Sequence, residues 1–215
     1  LLELADRLWP GAEGWFEDGQ FHLSVDSEPI VDHIKQMLEA VVECNAERTP
    51  DKRANDKEAP IHIGGPLDMP LDWWLNEDRS ANKRFKTWAA NASSLQMFSK
   101  WQTPLKKLAK STPMTPQGLL EEVVIVQGSY GFDSRMGWDA LDIGFSLNEH
   151  TQLKKLPLRP AVELFGAIGL QRFFPSRNKQ NDGILYHTWH IPLSALVAAC
   201  VVKGCMNEKG FQGFN

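Results

Sequence analysis

Three cysteines, Cys44, Cys200 and Cys205, are all that the 215 residues contain. An odd number with no CxxC spacing argues against a disulfide framework and against a zinc site, and makes the cytoplasm the expected compartment. Long apolar runs are missing too. The longest, 191–202, falls short of the roughly 20 residues that a membrane-spanning helix needs, and it contains Pro192 and Ser194. No P-loop, GxGxxG, GxSxG or HExxH occurs, and no His–Asp doublet. The familiar nucleotide, hydrolase and zincin signatures are therefore absent, and no cofactor, small-molecule substrate or membrane partner is expected. The opening LLELADRLW lacks Met and is already in helical register, as expected of a piece cut from something longer.

The most telling absence is local. Between 79 and 120 there is no acidic residue but eight basic ones, interleaved with Trp88, Phe98 and Trp101. The chain as a whole has a formal charge of −4, yet the segments 1–78, 79–120, 121–150 and 151–215 carry −12, +8, −5 and +5. Charges act over about one Debye length, roughly 8 Å at physiological salt, so the block pattern matters more than the sum. Two basic blocks on an acidic chain point to a polyanionic partner.

With 42% hydrophobic residues the chain can bury a sizeable core. Leu1, Leu4, Ala5 and Leu8 predict a first helix ended by Pro10-Gly11. Trp15-Phe16, Asp18-Gly19 and 21–25 predict a hairpin, because Asp-Gly takes the positive φ of a tight turn. Ser27 is the expected cap of a helix over 28–47, with Ile30, Ile34, Leu38 and Val41 as its inner stripe. A polar loop follows over 45–60, then a short strand at 61–63. Phe85, Trp88, Ala92 and Leu95 predict a helix over 82–101, and Thr103-Pro104 the start of a second. Thr115-Pro116 reads as a helix start and 123–128 as a strand. Pro160 opens a buried helix over 161–171, with a turn at 178–183, a strand at 184–191 and an apolar helix over 192–203 closed by Gly204. Helices and short antiparallel strands without βα alternation give an α+β fold in one compact domain, 1–215. Ferredoxin-like elements with a helical insertion are one expected arrangement; 1–78, 79–120 and 121–215 are its candidate subdomains.

Lysine and arginine neutralise phosphates, and aromatic rings between them stack on unpaired bases. Lys83, Arg84, Lys86, Lys100, Lys106, Lys107 and Lys110 are accordingly the candidate backbone contacts, with Trp88 and Trp101 as candidate stacking rings. Arg172, Arg177 and Lys179, around the turn after the 161–171 helix, form a second candidate set, with Lys154, Lys155 and Arg159 ahead of that helix. Against this, the same lysines suit a solvated helix face whose aromatics are core. Asp133, Asp139, Asp142, Glu149 and His150 would suit divalent ions beside an attacking water, but their spacing matches no defined motif, and caps and turns use the same residues. His187 and His190 fall on opposite faces of a strand, which argues against joint ligation.

Six pieces, LLELADRLW, GGPLDMPLDWW, KRFKTWAA, YGFDSRMGWDALDIGFS, LRPAVELFGAIGLQRFFP and YHTWHIPL, in this order resemble a CRISPR-associated protein of the type I-U (I-G) effector operons. The resemblance implies a large-subunit-like or accessory component of an RNA-guided surveillance complex in antiviral defence. Expected partners are crRNA, target DNA and neighbouring subunits, with no catalytic residue. In such complexes pairing reads sequence while protein reads backbone and shape. A scaffold subunit meeting an acidic protein surface and a metal-dependent nuclease are the alternatives.

Overall fold

The computed structural model describes residues 1–26, 28–29, 33–52, 54–55, 57–75, 77–78, 83–84, 93–111, 116–127, 155–177, 184–204 and 213–214. Helix α1, Leu2–Leu8, buries Leu4 and Ala5, as its spacing predicts, and Leu2 as well, while Leu1 and Leu8 are half-buried. It feeds the expected hairpin of β1, Glu13–Glu17, and β2, Gln20–Val25. Glu17 faces Gln20, and the two residues between them, Asp18 and Gly19, have φ of 50° and 75°. Positive φ at both central positions matches the twist of the flanking strands, which is why Asp-Gly serves there.

The 28–47 expectation is corrected at its start. Glu28–Pro29 forms a short strand, β3, on Ser24 and Val25 of β2, and helix α2 runs only from Ile34 to Glu43. Pairing to a neighbouring strand has overridden helical spacing. Met37, Leu38, Ala40 and Val41 are buried, whereas Ile34 is half-buried. Strand β4, Ala46–Arg48, begins the expected loop and pairs with β5, Ile61–Ile63, which in turn pairs with β6, Met69–Leu71. A 3-10 turn, Trp73–Leu75, buries Trp73 and Trp74.

The region around the basic run departs most from expectation. Strands β7, Glu77–Asp78, and β8, Lys83–Arg84, pair antiparallel, so Lys83 and Arg84 lie on a strand where the 82–101 helix was expected. The helix α3 starts at Ser94 and continues unbroken to Ser111, through Pro104, where a second helix was expected to start. Helix α4, Pro116–Glu121, and strand β9, Val124–Gln127, lie where predicted; β9 pairs with β10, Lys155–Leu158. Helix α5, Pro160–Gly169, is opened by its proline and almost wholly buried. Strands β11, Ser176–Arg177, β12, Ile184–His187, and β14, Gly213–Phe214, form a three-stranded sheet. Strand β13, Leu193–Ser194, leads into helix α6, Ala195–Val202. Gly204, at φ 71°, closes that helix as expected.

The fold is α+β. Its four-stranded antiparallel sheet has the order β13-β1-β2-β3, with a hairpin at its centre rather than the helix-separated strands of a ferredoxin-like sheet. One connected cluster of buried apolar side chains draws on α1, α2, β5, β6, α3, α5 and α6, and α3 packs against α2 and α5. Among the described residues no helix is long and apolar enough to cross a membrane.

Candidate nucleic-acid interface

Helix α3 is held at its start by two reciprocal bonds. The Gln96 amide donates to Ser93 Oγ at 3.2 Å, and the Ser93 amide donates to Gln96 Oε1 at 3.0 Å. This capping box satisfies amides that the first turn leaves without helical partners. The S-x-x-Q pattern was legible in the sequence and locates the helix start better than the apolar stripe did. The inner face of α3 buries Met97, Phe98, Trp101, Leu105 and Leu108. Between them, Gln102 reaches the end of α2, its Nε2 donating to the carbonyls of Val41 and Cys44 at 2.8 Å each. Those carbonyls lie in the last turn of α2, beyond its own backbone ladder; Val41's also accepts from Cys44 Sγ at 3.2 Å, and Gln102 ties both to α3.

The outer face presents Gln96, Ser99, Lys100, Thr103, Lys107 and Lys110, all exposed. These positions recur at three- and four-residue steps and so form one stripe. From Lys100 to Lys110 the stripe is about 15 Å long at 1.5 Å per residue. No acidic residue lies on α3. Continuity through Pro104 is what aligns the lysines: two helices would have given them two axes. Lys106 is half-buried at the edge of the stripe, and its charge acts on Cys44. Burial pushes that thiol up to about 11, against the opposing pull of Lys106 and the Gln102 hydrogen bond.

Two candidate contacts are corrected. Trp101 is 2% exposed, so neither face of its ring is open to a base. Arg172 is engaged internally: its Nε lies 2.5 Å from Glu3 Oε2 and its Nη1 donates to Asp6 Oδ2 at 2.7 Å. Arg7 Nε holds the other oxygen of Glu3 at 3.1 Å. Glu3 is almost wholly buried, and burial pushes its carboxyl up even though Arg172 and Arg7 pull it down. The sequence placed Arg172 on an open basic turn; its acidic partners lie some 166 residues away in the chain, beyond the reach of local pattern. The neighbouring Gln171 also points inward, accepting from the Asp72 and Trp73 amides and donating to Asp72 Oδ1.

Lys83 and Arg84 sit on β8, in register opposite Asp78 and Glu77, and Arg177 sits on β11 opposite Ile184. Lys86, Trp88 and Lys179 lie outside the described residues, as do the carboxylate set Asp133, Asp139, Asp142, Glu149 and His150 and the 178–183 turn. Among the described residues no group of three or more His, Cys, Asp or Glu could hold a metal ion. Of the histidine pair, only His187 is on the strand; His190 Nδ1 lies 2.9 Å from the Phe16 carbonyl. His62 Nε2 and Asp68 Oδ1 meet at 2.9 Å on the open β5–β6 hairpin.

Two cavities, of about 440 and 250 Å³, share Leu1, Phe173 and Tyr186 in their walls. Their lining is apolar apart from backbone, the Tyr186 hydroxyl and the Trp189 indole N–H, which is bonded to the Gly14 carbonyl. Such walls offer packing and no acid–base pair. Compared with protein-family models, with curated proteins and with solved structures, the chain matches none of them.

Proposed function

We propose that the chain is a non-catalytic, nucleic-acid-contacting subunit of a type I RNA-guided surveillance complex, and that the outer face of α3 meets a sugar-phosphate backbone. The observation that carries this reading is the division of α3: an inner face sunk in the core, and an acid-free outer stripe ending in Lys107 and Lys110. Phosphate contact needs cations, and hydroxyl or amide donors add register; this stripe supplies both through its lysines, Gln96, Ser99 and Thr103. The complex rests on the resemblance of the six sequence pieces, and its setting in the cytoplasm on the cysteine usage.

The test is salt-dependent binding of oligonucleotides by the whole chain. Lys100→Ala, Lys107→Ala and Lys110→Ala together should preserve the fold and weaken binding for all sequences alike. The slope of log K against log salt should flatten by about 0.7 to 0.9 per lost phosphate contact. An unchanged slope, or binding to acidic proteins but not to nucleic acid, would move the assignment to a scaffold subunit. Cleavage that is lost with a chelator and with Asp139→Ala would establish the nuclease instead.

A further inference from the structure

We infer that the α3 face takes a regular duplex along its phosphates, in preference to an unpaired strand. This rests on the reading of α3 as a polyanion-contacting face and specifies the form of nucleic acid it accepts.

Sequence-tolerant binding of single strands combines a positive groove with aromatic rings on which successive bases stack. Among the described residues the α3 face presents no such ring. Its two described rings, Phe98 and Trp101, point into the core. Among the described residues the exposed large hydrophobics include one aromatic, Tyr186, and that lies on β12 beside the apolar cavities. The side of α3 turned away from α2 and α5 is exposed. What it presents are lysines and short neutral donors, groups that contact phosphate and sugar. The stripe has no arginine fork; its lysines and Gln96 can reach base edges but serve phosphate and sugar equally.

Rigidity supplies a second argument. The capping box fixes the start of α3 and Gln102 fixes its middle against α2. The lysines therefore spring from a backbone of set spacing, one turn apart between Lys107 and Lys110 and about two turns between Lys100 and Lys107. A set of cations on a fixed frame complements phosphates that are themselves held at regular spacing, as in a duplex. An unpaired strand must lose its own flexibility to match such a frame, with no stacking in return.

The experiment measures binding of the whole chain to a mixed-sequence DNA duplex, an RNA–DNA hybrid of the same length, and each separate strand, across a salt series. The duplexes are expected to bind several-fold more tightly than the single strands at every salt concentration. The combined Lys100→Ala, Lys107→Ala and Lys110→Ala variant, shown folded by circular dichroism, should lose that preference and flatten the duplex slope by up to about 2.7, or about 0.9 for each contact. Single strands bound as tightly as duplex, with the variant weakening both, would overturn the duplex inference and leave the polyanion face standing. Duplex preference that survives intact in the variant would also overturn it, by placing the contact elsewhere. Failure to bind any of the four probes would remove the inference together with the function it rests on.

Discussion

Glu3 shows how much one buried charge can constrain. Its carboxylate is shared between Arg172 and Arg7, and removing Arg172 leaves one oxygen of a buried carboxylate without its cation, with only Arg7 on the other. Arg172→Met is therefore expected to cost roughly 3–5 kcal/mol, measured by denaturant unfolding; a phosphate-binding arginine on an open turn would cost almost nothing. The pH dependence follows from the direction of the shift. Because the folded carboxyl titrates above its ordinary 4.5, the native state binds more protons than the unfolded one across that interval. The group's contribution is thus fully present below 4.5 and is lost as pH rises through the folded value. Glu3→Gln should flatten this segment of the stability–pH profile. The cysteines give a simpler readout. Cys44 is buried and its thiol stands near 11, whereas Cys200 is exposed. In a Cys205→Ser background, a thiol reagent at neutral pH should modify Cys200 in the native protein and reach Cys44 only on unfolding.

At the scale of elements, α3 separates packing from charge. Trp101→Ala should destabilise the fold by about 3–5 kcal/mol. Ser93→Ala should cost about 1 kcal/mol by opening the capping box. Calorimetry checks both; a Trp101→Ala protein of unchanged stability would mean the ring is not core. Leu38→Ala on α2 should cost roughly 2–5 kcal/mol, and Ile34→Ala less, since Ile34 is only half-buried. Elements whose structure follows from neighbouring residues were legible: the Asp18-Gly19 hairpin, the Pro160 and Pro116 helix starts and the Gly204 stop are all where local chemistry puts them. Those decided by distant partners were not. The stretch at Glu28–Pro29 pairs with β2 instead of starting a helix, and Lys83–Arg84 pairs with Glu77–Asp78. That second pairing had a readable signal, because it joins residues of opposite charge across the boundary between the acidic and basic blocks. Within the candidate site, the lysines were legible from composition, but their alignment was not, since a proline at 104 argues against the continuity that α3 has.

Across the whole molecule, residues far apart in sequence are tied at a few points. Gln171 and Arg172 fasten the end of α5 to Asp72 and to Glu3 and Asp6. The loop after β12 grips β1: Trp189 Nε1 donates to the Gly14 carbonyl and the Phe16 amide donates to the Trp189 carbonyl at 2.8 Å. The Trp189 ring packs among Phe16, Phe21 and Phe173. Strand β1 is thus completed by β13, which pairs Leu193 with Gly14 from about 180 residues later in the chain. Synthesis gives that separation a clock. At 5–20 residues per second, the hairpin leaves the ribosome roughly 10 to 35 seconds before β13, the strand that covers β1. For that interval β1 is an open edge carrying Trp15 and Phe16, which invites pairing with another nascent chain. Glu13 and Glu17, at the two ends of the strand, are charges of the kind that blunt such pairing. A chain released before Trp189 is made should accordingly associate through its N-terminal hairpin, and more so when both glutamates are replaced by threonine; sedimentation of the released products would show it.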